Sequence, residues 1–105
     1  MDRRLELDAK LRKVMKEISG VENVYFQPPK NLKLKYPALV YELSDIEIRA
    51  ADDSVYSQHI FYDLIVIDRN PDSLLVFAIS SIPKCKYGRH YVSDNLYHDT
   101  FTIFV

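Results

Sequence analysis

Residues 61–81 constrain the fold of this chain more than any other stretch, because a strand pattern passes directly into a helix pattern there. The strand part, residues 61–67, carries apolar side chains on both alternating faces: Tyr62, Leu64 and Val66 on one side, and Phe61, Ile65 and Ile67 on the other. Two apolar faces are typical of a strand in the middle of a sheet. We therefore predict a central strand that is covered on both faces.

The second part of this stretch predicts a helix that opens at Asn70 and ends before Pro83. Asn70 is a good N-cap, Pro71 suits the first helical position, and Asp72 lies where the helix dipole favours an anion. Pro83 cannot continue a helix. The predicted packing side chains share helical spacing: Leu74, Phe77, Ala78 and Ser81, with Leu75, Ile79 and Ile82 beside them.

Another amphipathic helix is predicted from about Asp2 to Ser19, and Gly20 suits the left-handed backbone that terminates a helix. Its apolar stripe covers one side only, and is formed by Leu7, Leu11, Val14, Met15 and Ile18. A one-sided stripe means that the helix lies on another element, which we expect to be the sheet.

Four further strands are predicted at residues 23–26, 38–48, 84–92 and 97–105. The apolar alternation breaks at Ser44 and Asp45, which predicts a bulge or a bend. Polar residues 49–54 predict a hairpin tip, and Asp94 and Asn95 predict a turn because both residue types tolerate left-handed backbone. We therefore expect residues 1–105 to form a single α+β domain of order α-β-β-β-α-β-β. Two helices would pack on one face of a mixed, mainly antiparallel sheet.

Several protein classes are disfavoured by composition. No run of about 18 apolar residues is present, so no membrane association is expected, and the charged N-terminus predicts no export signal. Cys85 is the one cysteine, so an internal disulfide and a cysteine metal cluster are excluded and a reducing compartment is favoured. We expect Cys85 to be a small buried or half-buried residue.

No sequence motif of catalysis is present. The chain has no Gly-rich phosphate loop and no HExxH, GxSxG or CxxC motif. We therefore predict no enzyme activity, no catalytic residue, no cofactor and no metal site. A small metal-dependent nuclease that uses Asp52, Asp63, Asp68 or His98 is the alternative from the class of enzymes. A monomeric module that binds another protein is a third possibility.

Asp63 is unusual because it lies between apolar residues of the central strand. An unpaired buried carboxylate would cost several kcal/mol. We expect it to pair with Arg49, Arg69 or Arg89, unless one face of the strand is wet. The rival interpretation is an acid that faces a neighbouring subunit.

Charge is divided along the chain. Residues 1–36 contain nine Lys or Arg and five Asp or Glu, hence +4, whereas residues 37–105 contain five and ten, hence −5. One interpretation is a molecule with two differently charged ends that pairs with copies of itself or with a charged neighbour. The simpler one is a basic surface helix beside an acidic sheet edge, because charge blocks usually mark solvated faces.

A basic segment follows the Pro28-Pro29 pair and contains Lys30, Lys33 and Lys35. Two prolines favour an extended chain that cannot donate to a strand ladder. Three lysines without an element that reads a groove are a weak nucleic-acid signal. We predict no sequence-specific nucleic-acid binding.

Tyrosine is abundant, with eight residues and no tryptophan. Tyrosine combines apolar area with a polar tip and is enriched in protein interfaces, but it also favours strands. Both interpretations stay open for the tyrosines on or next to the predicted strands: Tyr56, Tyr62, Tyr87, Tyr91 and Tyr97.

Three segments together resemble a known family. Residues 24–41 contain VYFQPP and LKYPALVY, residues 66–73 read VIDRNPDS, and residues 89–101 read RHYVSDNLYHDTF. These segments are similar to stretches of the small tail completion or tail terminator proteins of long-tailed (siphovirus-type) bacteriophages and prophages. The resemblance covers nearly the whole chain, and its closing segment is the most specific.

That resemblance implies a virion structural protein, assembled in the host bacterial cytoplasm, with a small α/β domain of two helices on a sheet. Such proteins form a ring, usually a hexamer, that caps the tail tube and joins it to the head. The implied partners are copies of the same chain, the tail tube protein and the head-side connector protein. A head-side neck protein, such as a head completion protein, is the alternative from the same class.

A closed ring needs a head-to-tail interface between two different surfaces of each copy. The charge division could supply them, and sheet edges could pair across subunits through main-chain hydrogen bonds. Because polar segments beside strands are accessible to a neighbour, we predict the following subunit-interface residues: Asp52, Asp53, Arg49, Lys30, Lys33, Lys35, Arg89 and Tyr91.

Overall fold

The computed structural model describes residues 3–51 and 54–105, with the side chains of residues 49–57 outside that description. The elements are α1 Arg3–Ser19, β1 Val24–Phe26, β2 Ala38–Ala51, β3 Ser54–Asp68, α2 Leu74–Ser80, β4 Cys85–Ser93 and β5 Leu96–Phe104. Their order, α-β-β-β-α-β-β, is the predicted one. Neither of the described helices is long and apolar enough to cross a bilayer.

A single five-stranded sheet has the spatial order β1-β2-β3-β5-β4. The β1–β2 pair is parallel, and the other three pairs are antiparallel. The predicted mixed, mainly antiparallel sheet is thus confirmed. The bulge expected near Ser44 is also present, as a register shift between Leu43 and Asp45. Asp94 and Asn95 both have positive φ and form the predicted β4–β5 turn.

Both helices lie on the same face of the sheet and contact each other. Leu7, Leu11 and Met15 of α1 are buried against the sheet. The sheet side of this core includes Tyr41, Leu64 and Phe101, all 1% exposed or less. Burying each such side chain contributes roughly 1.5–3 kcal/mol before entropy is subtracted.

The position of β3 in the middle of the sheet is confirmed, but the helices cover only one of its faces. Tyr62, Leu64 and Val66 are buried in the core, whereas Asp63 and Ile65 on the opposite face are only half-buried. We call this opposite face the open face. The predicted cover on both faces is thus only partial: Ile67 on the open face is 7% exposed, whereas Phe61 packs on its cross-strand neighbour Phe104.

The start of α2 differs from the prediction. Asn70 does not cap the helix; its Oδ1 accepts from the N–H of Asp72 in a turn, 2.9 Å away. Ser73 then adopts extended backbone, and its hydroxyl accepts from the N–H of Leu75 as the N-cap. Asn70 and Ser73 are both short polar residues that can cap a helix. Ser73 is the N-cap because helical backbone begins directly after it.

The buried side of α2 also differs. Leu75 and Ile79 are buried with Ile82, whereas Leu74 and Phe77 are 67% and 68% exposed. At the end of α1, Ile18 is 43% exposed, so the predicted stripe ends one turn early. Both errors leave apolar side chains on the surface near the contact of the two helices.

Candidate subunit interface

The paired strands β2 and β3 extend beyond the rest of the sheet. β5 follows β3 only as far as the Phe61–Phe104 pair, and Ile60 then exchanges backbone hydrogen bonds with Val105. The remaining pairs continue to Ala51 and Ser54. We call residues 44–51 and 54–60 the arm. Eight residues of β2 at about 3.4 Å each give it a length of roughly 27 Å, in a molecule that measures 51 × 26 × 23 Å.

The hairpin tip is shorter than predicted, because strand pairing includes residues 49–51 and 54. Arg49 pairs with Ser57 through the backbone, and its side chain lies outside the described atoms. Asp52 and Asp53 fall outside the described residues.

The arm is amphipathic. Ile46 pairs with Ile60 and Ile48 with Gln58, on the same face of the sheet as the core. Ile46 and Ile48 are 45% and 57% exposed. On the opposite face, Asp45 and Glu47 pair with Phe61 and His59. The bulge at residue 44 produces this arrangement, because one extra residue moves Ile46 and Ile48 to the core side.

The segment between β1 and β2, residues 27–37, is the crossover loop. Hydrogen bonds hold both of its ends: Asn23 Nδ2 donates to Pro37 O at 3.1 Å and Lys35 N to Tyr25 Oη at 3.2 Å, beside β1. Gln27 N donates to Tyr41 O at 2.9 Å and Gln27 Oε1 accepts from Leu43 N at 3.1 Å, on β2. Its lysines, Lys30, Lys33 and Lys35, are exposed, and no carboxylate of the described residues forms an ion pair with them. The loop is therefore a basic surface at the β1 edge of the sheet.

Arg89 and Tyr91 lie at the other edge, on the open face of β4. The Arg89 guanidinium lies over the Tyr91 ring, 4.8 Å from its centroid, and Tyr91 stacks on His98 at 4.7 Å. A bulge sets this geometry, since Gly88 and Arg89 together oppose Thr100. A Cβ at Gly88 would collide with Thr100 Oγ1, so the bulge requires glycine.

The predicted interface residues thus form three separate groups. Those of the crossover loop lie at the β1 edge, those of β4 lie at the opposite edge, and Arg49 lies on the arm. Among the described side chains of this set, Arg89 and Tyr91 are in contact. Sequence reasoning missed the exposed apolar side chains of the arm and of α2, because the same alternation and periodicity also describe a core.

Asp63 lies on the open face of the sheet, which agrees with the prediction that one face of its strand is in contact with solvent. Its Oδ1 accepts from the hydroxyl of Thr102 at 3.4 Å, and none of the described arginines forms an ion pair with it. A groove of about 350 Å³ on the open face includes Asp63, Glu42 and Arg89 in its lining. A half-exposed carboxylate in such a groove stays hydrated and needs no charged partner. The side chain of Arg49, one of its predicted partners, lies outside the described atoms.

Of the residues named for a nuclease, Asp52 lies outside the described residues, and the three described ones, Asp63, Asp68 and His98, do not converge. Asp63 and Asp68 lie five residues apart on β3 and therefore face opposite sides. Asp68 Oδ1 accepts from Asn70 N, and a ring nitrogen of His98 lies 3.1 Å from Leu96 O. No group of three His, Cys, Asp or Glu side chains suited to a metal ion occurs among the described residues. Cys85 is half-buried as predicted, and burial raises the pKa of its thiol.

A cavity of about 470 Å³ lies between α2 and β4, and Asp99 is part of its lining. Tyr87 donates its hydroxyl to Asp99 Oδ1 at 2.8 Å, and His90 Nδ1 lies 2.9 Å from the same oxygen. The Asp99 side chain is only 9% exposed. We call this space the α2–β4 cavity. Sequence analysis gave Asp99 no role, although its alternation with Phe101 and Ile103 placed a carboxylate on the apolar face of β5.

Another polar cluster joins α1 to the sheet. The hydroxyl of Tyr41 donates to Asp8 Oδ2, and Arg12 donates to Oδ1. Burial raises the pKa of Asp8, but the hydrogen bonds from Tyr41 and Arg12 outweigh it and hold the pKa below its usual value. Burial, followed by the hydrogen bond to Asp8, raises the pKa of Tyr41 to about 12. Both groups therefore keep their bonded forms, ionised acid and neutral phenol, across the physiological range.

Comparison with known proteins gives no family: no model of a protein family matches the sequence, and no curated protein matches it significantly.

Proposed function

We propose that this chain is a bacteriophage virion structural protein, a tail terminator or tail completion protein that caps the tail tube as an oligomeric ring and helps to join tail to head. The class comes from the resemblance of residues 24–41, 66–73 and 89–101 to that family. Its partners are copies of itself, the tail tube protein and the head-side connector protein.

The structural observation that carries the proposal is the arm. It exposes Ile46 and Ile48 on the same face of the sheet as the hydrophobic core. Exposed apolar surface of this kind marks an interaction site. Charge favours a second copy of the chain as the partner of the arm, because the arm carries acids on its other face and residues 1–36 are basic.

The arrangement of surfaces supports a ring. A ring joins one surface of each copy to a different surface of the next. The crossover loop is basic and lies at the β1 edge, whereas the β4 edge borders a cavity lined by Asp72 and Asp99. These two edges are roughly 19 Å apart across four inter-strand spacings, so one copy can contact a neighbour on each side.

A head-side neck protein is the alternative within the same class. It would use the same ring contacts but remain with the head. The position of the protein in separated heads and tails distinguishes the two.

The experiment is electron microscopy of particles made without the gene. The proposal expects tails of irregular length, or tails detached from full heads, with normal particles restored by the gene in trans. Tails of normal length on filled heads would contradict it. Full heads that leak DNA and carry no neck would favour the head-side alternative.

A further inference from the structure

Asp99 is the buried hydrogen-bond acceptor of the α2–β4 cavity. Asp99 Oδ1 holds Tyr87 and His90, whereas Oδ2 accepts nothing from the described residues. No fully buried side-chain oxygen among the described residues lacks a hydrogen-bond partner. Because Oδ2 of Asp99 has no such partner, it must be accessible from the cavity that Asp99 lines.

The rest of the lining selects the shape of the ligand. Asp72 adds a second carboxylate, and Pro71, Val76 and Phe77 add apolar wall. Phe77 is 68% exposed, so its ring is available to a ligand. A cavity of about 470 Å³ lies within the range of roughly 300–1,000 Å³ that ligand pockets occupy. A lining that combines carboxylates with apolar side chains suits an ammonium group on an alkyl stem, which is a lysine side chain.

We propose that the α2–β4 cavity receives a crossover-loop lysine from a neighbouring copy, an inference that rests on the proposed ring. Lys30, Lys33 and Lys35 are exposed and make no ion pair with a described carboxylate. They lie at the β1 edge, and the cavity lies at the β4 edge of the same sheet. Lys33 is the best placed, because Leu32 beside it is 45% exposed and can contact Phe77.

Position in the fold favours the crossover loop over the basic residues of α1. Lys10, Lys13 and Lys16 are also exposed, but they belong to the helix that packs against α2. A head-to-tail ring joins opposite edges, and the crossover loop is the basic surface at the far edge. The contact therefore completes the cavity with a residue that its own copy cannot supply.

Carbodiimide cross-linking tests the contact, because it joins carboxylates to amines only when they touch. The sample is concentrated protein, mixed from ¹⁴N-labelled and ¹⁵N-labelled chains, together with isolated particles. The proposal expects mixed-label cross-links from Asp72 to Lys33 or its two neighbouring loop lysines. Their absence from both samples would overturn it. Cross-links from Asp72 to lysines of another protein would assign the cavity to that protein and overturn it too.

Charge reversal provides an independent readout in solution. Asp72→Lys and Lys33→Glu should each weaken self-association by about tenfold or more, and the double variant should recover most of the loss. Asp94→Asn is the matched control, because Asp94 is an exposed acid on the β4–β5 turn where asparagine tolerates the positive φ. Additive losses in the double variant would contradict the pairing. If normal particles need the gene but this pairing is absent, the inference is contradicted and the proposed function is not. If normal particles form without the gene, the proposed function itself is contradicted.

Discussion

Tyr41 of β2 donates its hydroxyl to Oδ2 of Asp8 on α1 at 2.5 Å. The bond joins the first helix to the sheet beneath it, where the Tyr41 side chain is fully buried. Arg12 occupies the other oxygen of Asp8 and also donates to the backbone oxygens of Glu22 and Val24. One carboxylate thus connects α1, β2 and the start of β1.

Removing this hydroxyl should destabilise the fold. Tyr41→Phe leaves Asp8 with one partner fewer in a half-buried site, which should lower the free energy of unfolding by about 1–3 kcal/mol. Tyr97→Phe is the matched control, because the Tyr97 hydroxyl donates to none of the described residues; it should change the value by less than about 0.5 kcal/mol. Urea titration measures both. Equal stability of the two variants would contradict the role of the bond.

Stability should fall at alkaline pH as Tyr41 ionises. Its pKa in the folded protein is raised from 10.0 to about 12, so its contribution is complete below the unfolded value and is lost as the pH rises through the folded one. Urea titrations from pH 9 to 12 should show a smaller loss in Tyr41→Phe than in the parent. The same loss in both chains would show that other groups control alkaline unfolding.

At acid pH, folding stability should instead fall as the pH decreases. The folded pKa of Asp8 lies below its usual value of 3.8, so its contribution is present above that value and is lost as the pH falls through the folded pKa. Asp8→Asn should therefore flatten the dependence of stability on pH below about 4. An unchanged acid limb in the Asp8→Asn variant would contradict the assignment.

The orientation of α2 can be tested with two adjacent leucines. Leu75 is 1% exposed and Leu74 is 67% exposed. Leu75→Ala should lower the free energy of unfolding by about 2–5 kcal/mol, and Leu74→Ala should change it by less than about 0.5 kcal/mol. Thermal unfolding of both variants distinguishes this orientation from the one that the sequence predicted. The reverse order of stabilities would mean that α2 is rotated.

The arm should support association and not folding. Ile46→Asp combined with Ile48→Asp removes its exposed apolar face, so self-association should weaken by at least about tenfold while the unfolding temperature is nearly unchanged. Val21→Asp, at a side chain 38% exposed after α1, is the control that adds a charge elsewhere. Sedimentation measures association. Unaltered self-association of the arm variant would remove the arm from the interface.

The sequence predicted the element order and the central position of β3 because periodicity and turn residues are local properties. It did not predict which side of α2 is buried, since Leu74, Leu75 and Phe77 all satisfy a helical period and only the contact with α1 selects Leu75. The choice of Ser73 over Asn70 as N-cap likewise depends on where the chain leaves the turn. These outcomes are set by tertiary packing.

The candidate interface was predicted less well than the fold. The exposure of the crossover-loop lysines and of Arg89 was predictable, because polar segments beside strands are visible in a sequence. Their place in an interface stays a prediction. Asp99 and the arm were missed for a common reason. A carboxylate among apolar residues, or an apolar strand end, can be recognised as part of a site or surface only when it is known which parts of the sheet the helices cover.

Electron microscopy of purified particles, with density for this chain identified by a specific label, is the most direct measurement. We expect a closed ring of identical copies at the head-proximal end of the tail, with the β1 edge of each copy against the β4 edge of the next. Particles that lack the chain, or that carry it as isolated single copies, would contradict a ring-forming tail terminator.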